Sequence, residues 1–120
     1  ITYKGAKIMD CIFCKIARGE IPSNKVYEDD DMLAFHDINP MAKVHVLVIP
    51  KKHIANVDDI DESNVEAVSK IFVKIGDIAQ KAGITNGYRV ISNCGPDAKQ
   101  SVMHLHFHIL GGQELPDKMA

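Results

Sequence analysis

Three histidines in a five-residue run carry the clearest chemical signal in this chain. His104, His106 and His108 alternate with apolar residues, and this two-residue period predicts a half-buried β-strand with the imidazoles on one face. Imidazole titrates nearest to physiological pH, and it can also act as a nucleophile or a metal ligand. The run therefore predicts a reactive site. Metal chemistry by the row itself is the weaker interpretation, because no carboxylate or other third ligand is evident beside it.

The cysteines indicate a second site near the start of the chain. Cys11 and Cys14 form a Cys-x-x-Cys pair, which alone fits redox chemistry, zinc binding or chance. The redox interpretation needs a βαβ context that is missing, and the zinc interpretation needs two more ligands. Cys94 has no partner in the sequence and is interpreted as a small structural side chain. An odd number of cysteines without a signal-peptide pattern favours a cytoplasmic protein over a secreted disulfide framework.

Length and charge limit the classes of partner. The chain has 120 residues and a formal net charge of −2, which fits one globular domain. It has no cluster of basic residues typical of polynucleotide binding, so a nucleotide partner would be a small molecule. It has no apolar run long enough to span a membrane. We expect residues 1–8 to be foreign to the domain or a weakly ordered arm, and residues 9–120 to form a single domain.

The elements that must position these residues follow from the hydrophobic pattern. Asp10 is expected to cap a short helix at residues 11–17, and Gly19 to end it. Short strands are predicted at residues 25–27, 32–35, 45–49 and 88–93, with the histidine strand last. Most connections are too short for parallel crossovers. The predicted fold class is α+β, an antiparallel β meander with one long helix and a short N-terminal helix.

The long helix has the strongest local signals. Residues 63–66 form a capping box, and Gly83 stands where a helix would end. Apolar residues recur between them at steps of three and four, and two isoleucines widen the stripe. The width of the stripe fits either a well-buried helix or one that also packs against a second subunit. The stripe consists of Val65, Val68, Phe72, Ile75 and Ala79, widened by Ile71 and Ile78.

Several linked motifs resemble the histidine triad (HIT) superfamily. Residues 104–110 match its His-x-His-x-His signature with two following apolar residues. Residues 100–102 (QSV), 35–40 (FHDINP) and 48–53 (VIPKKH) are similar to the Hint branch, the nucleoside phosphoramidases. The resemblance covers residues 11–112. It implies a HIT-like fold, a homodimer, and a hydrolase that releases a purine nucleoside monophosphate, usually AMP, from an amine or another group on the α-phosphorus.

The resemblance also implies roles for individual residues. His106 would be the nucleophile that forms a nucleotidyl-histidine intermediate, oriented by a flanking backbone carbonyl. His108 would donate to a phosphoryl oxygen, and His45 would be a further histidine of the phosphate site that supports the triad. Ser101 would contact the phosphate or assist protonation of the leaving group. The implied nucleotide-binding residues are Asn93, Asp37, Phe13, Ile16, Ile21, Leu47 and Gln100.

Each of these roles has a structural alternative. A lone His45 in an apolar strand is more often a satisfied core residue. Asn93 and Asp37 both stand in turn-like sequences where their side chains could bond to their own backbone. The four apolar residues of the implied base pocket could all belong to the core.

Microbial members of the superfamily suggest how the cysteines are used. By that resemblance Cys11, Cys14, His53 and His104 would form a closed Cys₂His₂ site, which would hold a structural zinc ion and remove His104 from direct catalysis. No organic cofactor is implied. Two other functions stay open, namely dinucleoside polyphosphate hydrolysis and a non-catalytic nucleotide-binding adaptor.

Overall fold

The computed structural model describes residues 11–118. The predicted arm at residues 1–8 and the predicted helix cap Asp10 lie outside this range. Cys11 is the residue that caps the first helix, and its Sγ accepts a hydrogen bond from the main-chain N–H of Cys14. The elements in chain order are α1 (Ile12–Ala17), β1 (Lys25–Glu28), β2 (Met32–His36), β3 (Val44–Pro50), a 3₁₀ turn (Val57–Asp59), α2 (Val65–Lys81), β4 (Tyr88–Ile91) and β5 (Phe107–Gly111).

The strands within residues 11–118 form one five-stranded antiparallel sheet, and this confirms the predicted α+β class. The spatial order is β1-β2-β3-β5-β4, so the meander is followed for three strands only. The chain then passes along α2, forms the edge strand β4, and returns to place β5 between β3 and β4. The strand that ends the histidine run is therefore interior to the sheet.

β3 divides the core into two layers. Val46 and Val48 face α2 and pack with Ile109 of β5 in the larger apolar cluster. Leu47 and Ile49 face the other way and pack beneath α1. Because both faces are covered, β3 is apolar almost throughout, as the sequence predicts for a central strand.

The prediction of a strand through the whole histidine run is wrong. β5 begins at Phe107, so His104 and His106 precede it. The main-chain N–H of Leu105 donates to the carbonyl of Ile54 instead of to a neighbouring strand. The carbonyl of His104 accepts from the imidazole of His106. The two histidines and Leu105 between them are all buried, and these two contacts satisfy main-chain groups that would otherwise be buried without a partner.

The predicted capping box of α2 does not form. The helix starts at Val65 with Asn64 as its N-cap residue, and Asn64 makes no side-chain capping bond. The hydroxyl of Ser63 donates to the carboxylate of Asp61, which also accepts the main-chain N–H of Ser63. Glu66 is therefore the second helical residue, one position too early to bond back to a cap.

The predicted end of α2 is confirmed. Gly83 adopts a left-handed conformation with φ of +92°. Its main-chain N–H donates to the carbonyl of Gln80, and that of Ile84 donates to the carbonyl of Ala79. These two bonds are the paired contacts of a Schellman motif, which favours glycine at this position.

The buried face of α2 is rotated from the predicted stripe. Its centre is formed by Ile71 and Ile78, both 0% exposed, whereas Phe72 is 54% exposed. Phe72 contacts the ring of Phe107 edge-to-face, at the margin of the buried face. Neither helix within residues 11–118 has the length and apolarity needed to cross a membrane.

We expect Ile71→Ala to lower the free energy of unfolding by about 2–5 kcal/mol, because it leaves a cavity in a closely packed core. Val65→Ala on the same helix is the control, since Val65 is 45% exposed and lies outside the buried cluster. Chemical denaturation of both variants measures the difference. Equal stability of the two would contradict the burial that the structure gives Ile71.

Candidate active site and metal centre

Strand register brings two histidines together on the face of the sheet opposite α2. Leu47 lies opposite His108, and His45 lies opposite Leu110, so the two histidines are diagonal neighbours. Nε2 of His45 lies 2.8 Å from Nδ1 of His108. The main-chain N–H of Met41 donates to Nδ1 of His45 over 3.0 Å. The buried His45 is thus a member of a histidine cluster and not an isolated core residue.

His106 lies directly before β5 and is held by main-chain contacts. Its Nδ1 is 2.7 Å from the carbonyl oxygen of His104. A carbonyl can only accept, so Nδ1 carries the proton and Nε2 keeps its lone pair. This is the arrangement that the resemblance implies for the nucleophile. The hydroxyl of Ser92 donates to the carbonyl of His106, and the rings of His106 and His108 have centroids 5.0 Å apart.

Asp37 makes the turn contact that was the structural alternative to its predicted role in nucleotide binding, and that role stays a prediction. Its Oδ1 accepts the main-chain N–H of Asn39 over 2.8 Å, as in an Asx turn. Its Oδ2 lies 3.5 Å from Nε2 of His45, so the same carboxylate is part of the histidine cluster. The turn therefore fixes a negative charge beside the candidate reactive site.

Burial keeps the clustered histidines neutral. The pKa of His108 is lowered to about 4, first by desolvation and then by the neighbouring His106 and His45. Desolvation is also the largest cause that lowers the pKa of His106 and of His45, while Asp37 opposes the shift in each case. A neutral imidazole with a free lone pair at Nε2 is the form of His106 that can attack an electrophile.

The side chain of Gln100 is fully engaged within the protein. Its Oε1 accepts from the main-chain N–H of Gly95 and from the amide of Asn56. Its Nε2 donates to the carbonyls of Ala55 and Val102. Four bonds fill the ordinary capacity of an amide, which favours a positioning role for Gln100 over the predicted direct contact with nucleotide.

Asn93 and Ser101 stand on the loops that border the histidines. β4 ends at Ile91, which pairs with His108, so Asn93 is the second residue of the following loop instead of the end of the strand as predicted. Asn93 is partly buried, and Ser101 is exposed shortly before the histidine run. Both lie close along the chain to cluster residues, and their contacts with phosphate stay predictions.

The four apolar residues predicted to line a base pocket lie on the histidine face. Phe13, Ile16 and Leu47 are buried in one cluster, and Ile21 packs against it. Phe13 contacts the ring of His106 edge-to-face with centroids 5.1 Å apart. This packing is what a core requires, and the role of these residues in base binding stays a prediction.

The predicted metal ligands converge at the other end of the histidine run. Nδ1 of His104 lies 3.4 Å from Sγ of Cys11 and 3.5 Å from Sγ of Cys14, and Nδ1 of His53 lies 3.2 Å from Sγ of Cys14. One ligand atom from each of the four residues lies within 4.8 Å of the others. Nε2 of His104 lies 2.8 Å from the carbonyl of Pro50, which fixes its proton there and leaves Nδ1 free to bind a metal.

The chemistry of this donor set fits zinc. Two thiolates and two imidazole nitrogens at these separations match a tetrahedral ion with sulfur and nitrogen ligands at about 2.3 and 2.0 Å. Burial raises the pKa of the Cys14 thiol to about 12, so without a cation the thiol stays protonated. A metal would supply the positive charge that a buried thiolate needs. Cys94, free and partly buried, is not among the residues of this cluster.

Sequence reasoning missed three residues that hold the site together. Ser92 supports the main chain at His106, Pro50 accepts from His104, and Met41 donates to His45. Two of the three act through main-chain atoms, which leave no signal in the residue type. The serine is a common residue with no motif around it, so no pattern distinguished it.

A family model described as the HIT domain matches residues 18–115. This chain belongs to the HIT family. The HIT-like proteins most similar in sequence include one of 13.2 kDa from Azospirillum brasilense, 48% identical over 106 residues and covering 87% of each chain. Protein HitA of Neisseria gonorrhoeae is 43% identical over 102 residues, covering 85% of this chain and 95% of its own.

Solved HIT structures agree with the fold. A histidine triad protein from Clostridium difficile is 56% identical with a TM-score of 0.87, and the match covers 92% of this chain and 97% of that one. A HIT family hydrolase from Legionella pneumophila is 44% identical with a TM-score of 0.84, covering 89% and 96% of the two chains. A HIT family hydrolase from Clostridium thermocellum is 49% identical with a TM-score of 0.88, covering 92% and 97%.

We expect this HIT protein to lose stability as the pH falls from 6.5 to about 4. The pKa of His108 is about 4 in the folded state against 6.5 for the free side chain, so the unfolded chain binds a proton in this window that the folded chain does not. The free energy of unfolding, measured by denaturation across this range, should fall less steeply in His108→Asn. His36→Asn is the control, because His36 lies outside the cluster. If the free energy of unfolding of His108→Asn depends on pH as steeply as that of the wild type, the result would contradict the lowered pKa of His108.

Proposed function

We propose that this protein hydrolyses AMP conjugates, phosphoramidates foremost, through a nucleotidyl intermediate on His106. The observation that carries the proposal is the 2.7 Å contact between Nδ1 of His106 and the carbonyl of His104, which leaves Nε2 as a lone pair in a neutral ring. Similarity to HIT family hydrolases of Legionella pneumophila and Clostridium thermocellum supports hydrolysis as the reaction class.

The proposed first step is displacement at phosphorus. Nε2 of His106 forms a bond to the α-phosphorus while the bond from phosphorus to the amine nitrogen breaks, and the amine leaves with a proton that Ser101 helps to deliver. The positive charge that develops on the His106 ring is stabilised through its Nδ1–H by the carbonyl of His104. His108 donates to a phosphoryl oxygen.

The second step regenerates the enzyme. Water attacks the phosphorus, the bond to Nε2 breaks, and AMP leaves with His106 restored to its neutral form. One proton of the water replaces the proton that the amine received in the first step. Asp37 would accept from the ribose hydroxyls, and Asn93 would donate to the phosphate region. The apolar cluster around Phe13, which contacts the ring of His106, would supply the wall against which the base packs.

We expect His106→Asn to lower turnover of an AMP–amine phosphoramidate by about 10³-fold or more, because no other group replaces the nucleophile. AMP binding should be retained, since the amide preserves shape and polarity. A fluorescent leaving group measures turnover, and His36→Asn is the matched control, because His36 lies in β2 outside the cluster. Equal loss of binding and turnover would instead indicate a folding role for His106.

The same assay separates the alternative functions. Faster cleavage of a diadenosine polyphosphate than of the phosphoramidate would favour dinucleoside polyphosphate hydrolysis. AMP binding by wild type without turnover of either compound would favour a nucleotide-binding adaptor. Either result would overturn the proposed reaction while leaving the family assignment unchanged.

We further propose that Cys11, Cys14, His53 and His104 hold a structural zinc ion. The donor atoms and their separations support this, and four protein ligands would leave no open position for a water. The ion would tie α1 to the segment that follows β3 and to the start of the histidine run. It would thereby hold the main chain at His104, whose carbonyl orients the nucleophile.

We expect protein purified without added zinc to carry about one zinc ion per chain and Cys14→Ser to carry far less. Cys14→Ser should also unfold at a temperature at least about 4 °C lower, because it loses binding energy that belongs to the folded state. Cys94→Ser is the matched control, since Cys94 lies outside the cluster. Folded, active wild-type protein without bound metal would remove the zinc proposal.

We also propose that the protein is a homodimer in the cytoplasm. Phe72 and Val73 on α2 and Tyr88 and Val90 on the edge strand β4 are large apolar residues that the single chain leaves exposed. Exposed apolar patches and open strand edges are commonly covered in assemblies. The resemblance to the HIT superfamily supports a second copy of this chain as the partner.

A further inference from the structure

A main-chain amide determines the protonation state of one histidine nitrogen in the candidate active site. The N–H of Met41 donates to Nδ1 of His45 over 3.0 Å. An amide N–H can only donate, so Nδ1 must present a lone pair. The proton of neutral His45 therefore resides on Nε2, because a proton on Nδ1 would place two donors against each other.

The nearby carboxylate favours the same tautomer. Oδ2 of Asp37 lies 3.5 Å from Nε2 of His45 and offers the N–H there a second acceptor. Oδ1 of Asp37 accepts the main-chain N–H of Asn39 and thereby stabilises a turn. The Met41 amide follows two residues after Asn39 in the same short segment. Both ends of this segment act on the same imidazole, and both place its proton at Nε2.

The tautomer of His45 determines that of His108. Nε2 of His45 lies 2.8 Å from Nδ1 of His108, and since Nε2 donates, Nδ1 must accept. Neutral His108 consequently carries its proton on Nε2. That atom is buried and has no hydrogen-bond partner among the residues that the structure describes. It is a donor for which residues 11–118 supply no acceptor.

We propose that the main-chain amide of Met41 is a positioning group that sets the tautomers of His45 and His108, and so keeps Nε2–H of His108 available to donate to a phosphoryl oxygen. The Met41 side chain is 80% exposed, so its amide and not its thioether is the group in contact with the cluster. The assignment of the tautomers is independent of the reaction, and the consequence for turnover rests on the proposed function.

The tautomers can be measured directly on the wild-type protein. Nitrogen-15 labelling of the histidines, with His45→Asn and His108→Asn used to assign the signals, reports by NMR which ring nitrogen carries the proton. We expect Nε2–H and an unprotonated Nδ1 in both residues at neutral pH. A proton on Nδ1 of His45 would overturn the proposal whatever the variants do.

Two variants test the amide itself. Met41→Pro removes the N–H, whereas Met41→Ala keeps it and shortens only the exposed side chain. We expect Met41→Pro to show a proton on Nδ1 of His45 in part of the molecules. The kcat for the phosphoramidate should fall in the same proportion, because only molecules with the wild-type tautomers keep Nε2–H of His108 as a donor. Met41→Ala should retain the wild-type tautomers and kcat.

The possible outcomes distinguish the role of the Met41 amide from an effect of its side chain, from misfolding and from the proposed function. Wild-type tautomers and full kcat in a folded Met41→Pro protein would overturn it, and so would an equal loss of kcat in Met41→Ala. If Met41→Pro does not fold, the wild-type NMR measurement alone decides the tautomers. Expected tautomers in a wild-type protein that turns over no phosphoramidate would support the inference and contradict only the proposed function.

Discussion

A buried imidazole needs a hydrogen-bond partner for the nitrogen that carries its proton, and this requirement organises the candidate site. Leaving a buried donor unpaired costs about 1–3 kcal/mol, so most of these rings direct the protonated nitrogen at an acceptor that is fixed in place. Nε2–H of His108 is the exception among the described histidines of the candidate active site. For His106 and His104 the acceptors are main-chain carbonyls, which leave the opposite nitrogen of each ring exposed to a ligand. As a result, Nε2 of His106 presents a lone pair suited to attack on phosphorus, and Nδ1 of His104 presents a lone pair suited to binding a metal.

The sequence was most informative where side-chain identity alone carries the chemistry. The Cys-x-x-Cys pair and the histidines that converge with it were predicted as a set by the resemblance to microbial HIT proteins, because the spacing of the two cysteines alone fits redox chemistry, zinc binding or chance. The resemblance implied that His45 supports the triad, but its contact with His108 depends on the register of β3 and β5 and was not predicted. The α+β class followed from the alternating and helical periods and from short connections.

The remaining features depend on main-chain contacts or on competition between neighbours. Alternation around Leu105 suggested a strand, but the main chain there is bonded to Ile54 and to a histidine ring instead of to a ladder. Ser63 fits a capping pattern, yet Asp61 takes its hydroxyl and shifts the helix start. The role of Gln100 could not be predicted, because nothing in its neighbourhood along the chain shows that four partners surround its amide.

The interior position of β5 affects how the site can move. His108 lies on a strand that is bonded on one side to β3 and on the other to β4, so displacing its backbone requires the rupture of two ladders. Local openings with small free energies are therefore confined to the loops around the strand, while β5 itself opens only with much of the sheet. Slow amide hydrogen exchange along Phe107–Gly111 would mark a rigid floor, and any rearrangement of the main chain around a ligand would then be confined to the bordering loops.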